Sequence, residues 1–294
     1  MNNEALARAF FYAMMLVNEM KKVAIQGIRG AFHEEAACRY FGDEIEIVPC
    51  MRFEELLEGV AQGVSDYGVM AVENTIAGSL NQNLVLLDRN DVHIIGEVSI
   101  RIKQSLGALP GQSISDIKEV MSHHMALLQS RAFLSSLNGI RLVEIADTAL
   151  GAKRIADERL HSVGAIGSVR AMQHYGLDVL ADEIETNKLN HTRFFVVRAG
   201  KETIWEADAL KPTVHLTLPS RPGSLYEVLG VFYKHNINLT KIESIPIEGQ
   251  PYHYGFIIDC EFDAQDDLRR AIDDLNPVTE NLQILGVYKT SPKD

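Results

Sequence analysis

Cysteine is scarce in this chain, and its spacing excludes two common uses of the residue. The 294 residues contain three cysteines, Cys38, Cys50 and Cys260, which are scattered and odd in number. They form neither a CxxC pair with metal-ligand spacing nor a disulfide framework. Because disulfides persist in oxidising compartments, three isolated cysteines favour a protein of a reducing compartment.

Positive charge is also in short supply. The chain has 28 Lys and Arg residues against 40 Asp and Glu residues, for a net charge of −12. Nucleic-acid binding needs clustered basic side chains, and none appear, so we expect no nucleic-acid partner. An anionic small-molecule substrate is not excluded, since the local field of a pocket can oppose the global charge.

Long hydrophobic runs are missing as well. The apolar stretch "ALARAFFYAMMLV" at residues 5–17 is too short to span a bilayer, and Glu4 precedes it in place of a basic cluster. The stretch "NEMKK" follows it where a signal peptide has its small-residue cleavage site. We expect an amphipathic helical extension over residues 1–21, unless translation begins at Met20. Either way, the sequence predicts a cytoplasmic protein without a membrane partner.

What the chain does contain is a regular alternation of short apolar strands and helices. Its 46% hydrophobic and 23% charged residues are those of a globular protein, and its length allows two domains. Strand and helix patterns alternate over residues 22–100 and again over 101–185, which predicts two α/β lobes with a ligand cleft between them. The apolar run "FFVV" after Thr192 is expected to return as a strand to the first lobe. The catalytic region is thus predicted to cover residues 22–200.

A second domain follows. Residues 201–210 interrupt the pattern and are predicted to form a linker. Residues 211–290 then show the order strand, helix, strand, strand, helix, strand, which is the ferredoxin-like βαββαβ arrangement.

Polar side chains gather at the carboxyl ends of four predicted strands, where open α/β sheets bind their ligands. In addition, Gly27 and Gly30 lie between a strand and a helix, so free N–H groups at the helix start can hold a carboxylate or phosphate. No Walker loop, catalytic triad or metal set is visible, and the adjacent His123 and His124 point different ways on a helix. These features predict a hydrogen-bonding site for a polar or anionic metabolite, without cofactor or metal. The strand-end groups are Glu73–Asn74, Ser122, Asp147–Thr148 and Asn190–Thr192–Arg193.

The same segments resemble the motifs of a known family. "VENTIAGSL" (72–80), "SHHMALLQ" (122–129) and above all "NHTRFFVV" (190–197) are similar to prephenate dehydratase motifs, with "QGIRGAFHEEAA" (26–37) as a divergent first motif. The stretch from Arg221 to Ile247 resembles the ACT regulatory domain of that family. The resemblance implies a two-lobed, periplasmic-binding-protein-like catalytic region followed by an ACT domain.

What the resemblance implies about function is the conversion of prephenate to phenylpyruvate with loss of water and carbon dioxide. Thr192 matches the catalytic threonine and is expected to donate a hydrogen bond to the departing oxygen, and Glu73 or a water supplies the proton. Asn74 belongs to the same catalytic group. The expected substrate contacts are Ser122, Gln129, Arg193, Thr148 and Ser79. For Arg193, a structural ion pair beside the strand is an equal alternative.

The resemblance also implies feedback inhibition by L-phenylalanine in a homodimer or homotetramer. Three departures limit what the resemblance implies, and one of them is His124, which stands where the family commonly has a proline after the first histidine. Ala31 and His33 replace the hydroxyl residues of the family's Gly-Thr-Phe-Ser motif, and Ile245 replaces the arginine of Glu-Ser-Arg-Pro, which would alter phenylalanine binding. The residues expected at the effector site are Gly223, Ser224, Leu225, Asn238, Leu239, Glu243 and Ser244.

Two alternatives stay open. The substrate could be arogenate, which carries an amino group where prephenate has its keto group. A non-catalytic metabolite sensor would also suit two lobes joined to a ligand-sensing domain.

Overall fold

A computed structural model of the chain describes residues 20–202, 205, 208–247, 249–250 and 252–291. The helical extension predicted for residues 1–21 therefore falls almost entirely outside the described residues. No helix among the described residues is long and apolar enough to cross a membrane.

Two lobes form the first two thirds of the molecule, and each is built on its own sheet. The strands of the first lobe are β1 (Lys21–Gln26), β2 (Ile45–Cys50), β3 (Tyr67–Asn74), β4 (Gly78–Ser79) and β5 (Val92–Arg101), joined later by β11 (His191–Ala199). The strands of the second lobe are β6 (Ser105–Ala108), β7 (Glu119–Ser122), β8 (Arg141–Glu144), β9 (Val163–Gly167) and β10 (Asp178–Ala181).

Helices cover both sheets. Those of the first lobe are α1 (Phe32–Phe41), α2 (Phe53–Ala61) and α3 (Asn81–Arg89). Those of the second lobe are α4 (His124–Gln129), α5 (Arg131–Ser136), α6 (Thr148–Glu158) and α7 (Val169–His174). The sequence pattern predicts one helix over residues 123–137, but the structure breaks it at Ser130.

The sheets are mixed, whereas the alternating pattern predicts parallel ones. In the first sheet β1 is parallel to β2 and β3, but β11 lies antiparallel between β3 and β5. This arises because the chain returns from the second lobe in the opposite direction. In the second sheet the order is β10-β6-β9-β7-β8, and β6 is antiparallel to both of its neighbours. The predicted return of the Thr192 strand to the first lobe is confirmed.

The C-terminal domain has the predicted βαββαβ order. Its elements are β12 (Lys211–Thr217), α8 (Ser224–Lys234), β13 (Asn238–Pro246), β14 (Tyr254–Glu261), α9 (Gln265–Leu275) and β15 (Asn281–Tyr288). The strand order β13-β14-β12-β15 is antiparallel throughout, and β13 forms the edge of the sheet. The described part of the predicted linker contains no helix or strand, and its Ala209 is buried in the core of this domain.

The C-terminal sheet is continuous with the sheet of the first lobe. Strand β15 pairs with β5 where Gly286 meets Ile94. A Cβ atom at residue 286 would lie 2.1 Å from the carbonyl oxygen of Ile94, so only glycine permits this approach. One hydrophobic cluster crosses the boundary and joins Ile245, Ile257 and Leu285 to the first lobe. The two domains therefore share a core.

Candidate active site

The cleft between the two lobes holds a cavity of about 240 Å³. Side chains from both lobes and from the crossing strands line it. Those with polar groups are Gln26, His33, Asn74, Gln104, His123, Gln129, Asp147, Thr148 and Thr192. The apolar part of the lining includes Phe32, Leu80, Ile102, Met125 and Phe194.

Asn74 and Thr192 form the centre of the first-lobe wall. They face each other in register where β3 pairs with β11, and Asn74 Nδ2 donates to Thr192 Oγ1 at 2.9 Å. The amide is held in this orientation because its Oδ1 accepts from the backbone N–H groups of Ile76 and Ala77, each at 2.9 Å. Since Thr192 Oγ1 accepts this bond, its own hydrogen remains available to a ligand.

Thr75 ties the two segments together. Its Oγ1 donates to the carbonyl oxygen of Leu189 at 3.0 Å and accepts from the N–H of His191 at 3.0 Å. Next to it, Asn74 Nδ2 also donates to Asn190 Oδ1 at 2.7 Å. The residues around Thr192 are thus fixed by side-chain hydrogen bonds as well as by strand pairing.

Two glycines allow the lobes to approach each other. At Gly27, where φ is +95°, a Cβ atom would lie 2.7 Å from Asp147 Oδ2 of the second lobe. At Gly30, where φ is +90°, a Cβ atom would lie 2.7 Å from Ala171 Cα. The Ser168 hydroxyl donates to the carbonyl oxygen of Gly30 at 2.7 Å. Glycine is therefore required at both places by conformation and by space.

The second-lobe wall is organised by the start of α6. Asp147 Oδ1 caps this helix by accepting from the N–H groups of Ala149 and Leu150 at 2.9 and 3.2 Å. Burial raises the pKa of the Asp147 carboxyl above its ordinary value. Thr148 follows it in the lining, and Gln129 lines the cleft from the end of α4.

Several buried polar atoms in or beside the cleft lining have no hydrogen-bond partner among the described residues. They are His33 Nε2, Gln104 Oε1 and Asn190 Nδ2. Burial lowers the pKa of His33 to about 3, so its ring is neutral at physiological pH. The described lining contains no lysine or arginine, and no cluster of His, Cys, Asp or Glu among the described residues could hold a metal ion. The cleft thus offers amide and hydroxyl groups, imidazole rings and the Asp147 carboxyl to a ligand.

Comparison with known proteins agrees with this arrangement. A family model described as prephenate dehydratase matches residues 23–202. The chain belongs to the prephenate dehydratase family. A second model, the ACT domain, matches residues 213–279, so the βαββαβ domain is an ACT domain.

Relatives of the chain are named for two dehydratase activities, one on arogenate and one on prephenate. Arogenate dehydratase 2 of Petunia hybrida is 36% identical over 285 residues, which is 93% of this chain and 72% of the relative. The bifunctional chorismate mutase/prephenate dehydratase of Aquifex aeolicus is 34% identical over 284 residues, or 96% of this chain and 77% of the relative.

Two solved structures match nearly the whole chain. GqqA, described as a novel type of quorum quenching acylase, has a TM-score of 0.84 and 29% identity, covering 92% of this chain and 99% of its own. Prephenate dehydratase from Arthrobacter aurescens in complex with L-Phe has a TM-score of 0.81 and 29% identity, covering 91% and 90%. The two-lobed fold with an ACT domain is therefore confirmed.

Of the residues that the dehydratase motifs indicate, the structure brings Thr192, Asn74, Gln129 and Thr148 to the cleft lining. Four others lie outside that lining. Ser122 is fully buried and donates to the carbonyl oxygen of Ile166 at 2.6 Å. Ser79 lies on β4, where it pairs with Glu73 of β3.

Glu73 and Arg193 face the ACT domain instead of the cleft. Glu73 Oε2 lies 3.3 Å from Lys241 Nζ, and Arg193 lies 2.7 Å from Glu97 Oε2 and 2.5 Å from Asp259 Oδ2. The pleat explains this placement, because consecutive strand residues point to opposite faces of a sheet. Once Asn74 and Thr192 face the cleft, Glu73 and Arg193 point away from it.

Sequence reasoning misses four polar residues of the cleft lining, which are Gln26, His33, Gln104 and His123. Gln26 ends β1 and follows the same rule as the others, so it could have been found. His33 replaces a hydroxyl residue of the family's first motif, so the motif itself does not indicate its place in the cleft. Gln104 lies between β5 and β6, in a segment with no strand signal.

In the ACT domain, Ser224 and Leu225 line a hollow of about 400 Å³ together with Arg221 and Tyr254. Gly223 precedes α8 with φ of +89°. The other predicted effector residues lie on the edge strand β13: Asn238, Leu239, Glu243 and Ser244. Of these, Glu243 accepts a hydrogen bond from Asn81 of the first lobe at 2.9 Å.

Proposed function

We propose that this chain is a prephenate dehydratase. The observation that supports the proposal most directly is the hydroxyl of Thr192, which accepts a hydrogen bond from Asn74 and retains its own hydrogen for a ligand in the cleft. A donor oriented in this way suits a reaction in which negative charge develops on a departing oxygen.

The chemistry requires little covalent assistance. The bond between the ring and one carboxylate breaks, its electron pair enters the ring, and the ring C–O bond breaks to release hydroxide. Prephenate thus becomes phenylpyruvate, carbon dioxide and hydroxide, and one proton converts the hydroxide to water. Aromatisation drives this sequence, so the protein must hold the geometry and stabilise the leaving oxygen.

The proton that converts the departing hydroxide to water needs a source other than Glu73, which the sequence suggests. Glu73 faces Lys241, outside the cleft lining. Asp147 is the carboxyl group among the described lining residues, and burial raises its pKa. We assign the proton to Asp147, acting directly or through a water molecule.

Prephenate is a dianion, and the lining offers neutral donors to bind it. The amides of Gln26, Gln104 and Gln129 and the hydroxyl of Thr148 supply hydrogen bonds. Helix α1 begins in the wall at Phe32 without a side-chain cap, so its first N–H groups and its dipole can hold a carboxylate. The absence of lysine and arginine from the described lining also avoids binding the ground state so tightly that the departing carboxylate would be retained.

The alternative substrate is arogenate, since relatives with both names match the chain. To decide between the substrates, purified protein is incubated with each, and phenylpyruvate is measured by its ultraviolet absorbance in alkali and phenylalanine by chromatography. Turnover of prephenate with a higher kcat/KM than that of arogenate supports the proposal. The reverse ratio makes the chain an arogenate dehydratase, and binding without turnover of either makes it a sensor.

Acyl transfer is less well supported, although one structural relative is described as an acylase. Thr192 has an amide side chain, Asn74, as its partner and not a general base that could remove its proton.

We also propose L-phenylalanine as the effector, bound at the hollow around Ser224 and Leu225. The A. aurescens relative was solved with L-Phe. Ile245, which stands where the family motif has arginine, is buried in the core shared with the first lobe. The effector's carboxylate must therefore use other donors, such as Arg221. The open edge of β13 suits a homodimer or homotetramer, and three free thiols suit the cytoplasm.

A further inference from the structure

The sequence neighbours of Asn74 and Thr192 contact the ACT domain. Asn74 and Thr192 line the cleft. Glu73, which precedes Asn74, and Arg193, which follows Thr192, lie on the opposite face of the sheet. That face packs against the ACT domain.

Arg193 is held from both domains. Its Nε binds Glu97 Oε2 of the first lobe at 2.7 Å. Its Nη1 binds Asp259 Oδ2 of β14 at 2.5 Å, and its Nη2 donates to the hydroxyl of Tyr288 of β15 at 3.1 Å. Because all three nitrogens of the guanidinium are engaged, the side chain and the backbone that bears it have little freedom.

The charges around Arg193 balance across the domain boundary. Lys211 of the ACT domain binds both oxygens of Glu97 at 2.9 and 3.0 Å. Thr213 donates to the second oxygen of Asp259 at 2.7 Å. Of these four ions, Arg193 and Glu97 belong to the first lobe and Lys211 and Asp259 to the ACT domain, and each pairs across the boundary. Glu73 Oε2 of the first lobe also lies 3.6 Å from Arg193 Nη1. Glu97 and Asp259 are 6% and 0% exposed, so removing one member leaves a buried charge without its partner.

A second contact accompanies the first. Lys241 stands opposite Asp259 in the pairing of β13 with β14, and its Nζ lies 3.3 Å from Glu73 Oε2. The neighbouring strands β13 and β14 thus contact both residues that flank the cleft pair.

We propose that Arg193 is a positioning residue for Thr192 and that the ACT domain sets the position of this part of β11 through Asp259. The inference rests on the proposed function, because it assigns a catalytic role to Thr192. It also gives a route for regulation: any shift of β13 and β14 on effector binding is transmitted to Glu73 and Arg193, and from them to the adjoining Asn74 and Thr192.

The test compares Asp259→Asn with Asp88→Asn. Both substitutions remove a carboxylate charge at the domain boundary, but Asp88 binds His215 at 2.7 Å, away from β11. We expect kcat to fall about tenfold in Asp259→Asn with KM nearly unchanged, and to remain at the wild-type value in Asp88→Asn. The kcat loss should shrink when Asp259→Asn is combined with Thr192→Ala, because a residue that acts by positioning the Thr192 hydroxyl has little effect once that hydroxyl is absent.

Hydrogen exchange gives a readout that does not depend on activity. Amides of the β11 peptide around Thr192 should exchange faster in Asp259→Asn and at the wild-type rate in Asp88→Asn. If Asp259→Asn does not fold, Arg193→Lys is measured in its place, since lysine keeps the positive charge but cannot make the three hydrogen bonds of the planar guanidinium group.

Unchanged kcat and unchanged β11 exchange in Asp259→Asn would overturn the inference. A kcat loss of equal size in the wild-type and Thr192→Ala backgrounds would overturn it as well. A wild-type protein inactive on both substrates would instead refute the proposed function. In that case the exchange comparison alone decides whether Asp259 positions this part of β11.

Discussion

Asn74 donates a 2.9 Å hydrogen bond to the hydroxyl of Thr192 across two antiparallel strands. The bond determines which way the threonine hydroxyl can act, because an oxygen that accepts from an amide directs its own hydrogen elsewhere. The catalytic proposal depends on this polarity, and the following predictions test it and its surroundings.

Asn74→Asp replaces the group that donates to the Thr192 hydroxyl with one that accepts from it, at almost constant side-chain volume. A carboxylate would accept the Thr192 hydrogen and repel the developing negative charge, so kcat should fall by ~10² or more. Steady-state turnover of prephenate measures the effect. As a control, Asn90→Asp makes the same change at a residue whose amide binds the carbonyl oxygen of Leu86 in α3, and it should leave kcat unchanged. Equal kcat values in the two variants would contradict the proposed polarity.

Gly27→Ala should separate the two lobes. It introduces a Cβ atom at positive φ and 2.7 Å from Asp147 Oδ2. Gly42→Ala provides the matched control, since Gly42 also has positive φ, at +85°, but no atom within 4 Å of a new Cβ. Both variants pay about 1–2 kcal/mol of backbone strain in the free energy of unfolding. Substrate affinity should weaken only in Gly27→Ala, as titration calorimetry can measure; equal affinity in both would exclude a role for this contact.

Asp147 gives a prediction for pH dependence. Its pKa is raised by burial, and its protonated form is the one that acts, so kcat should fall as the pH rises through that pKa. Asp147→Asn keeps an oxygen that can cap α6 but has no acidic proton, and it should lower kcat and remove this limb of the profile. A profile that keeps the limb in Asp147→Asn would assign the proton to another group.

His33 gives a prediction for stability. Its pKa is about 3 in the folded protein and 6.5 in the unfolded chain, so only the unfolded state gains a proton between these values. The folded protein is therefore favoured above pH 6.5 and loses roughly 1.4 kcal/mol per pH unit as the pH falls below it. Urea unfolding at pH 7 and pH 5 should show a smaller stability loss in His33→Gln than in the wild type. An equal loss in both would mean that His33 does not titrate in this way.

The fold and the presence of Asn74 and Thr192 at the cleft could be predicted from sequence because both leave local signals. Apolar strands that end in polar residues located Asn74 and Thr192, and the order of elements predicted the βαββαβ domain. The roles of Glu73 and Arg193 could not be deduced from their being next to Asn74 and Thr192 in the sequence. Strand alternation already implies that only one member of each adjacent pair can face the cleft, but which one depends on where the ACT domain packs.

Other features arise only in three dimensions. Gln104 enters the cleft from a connection without any periodic pattern, and its contact with Gln129 joins residues 25 positions apart. The close approach of Gly286 to Ile94 depends on a pairing between domains that no local motif encodes.

The most direct test of the central claim is the prephenate turnover of wild-type protein, Thr192→Ala and Thr192→Ser, with substrate affinity measured separately. The account predicts that Thr192→Ala loses ~10²–10³ in kcat at nearly unchanged affinity, and that serine, which restores the hydroxyl, recovers most of the rate. Full activity in Thr192→Ala, or equal rates for alanine and serine, would contradict the role assigned to this hydroxyl.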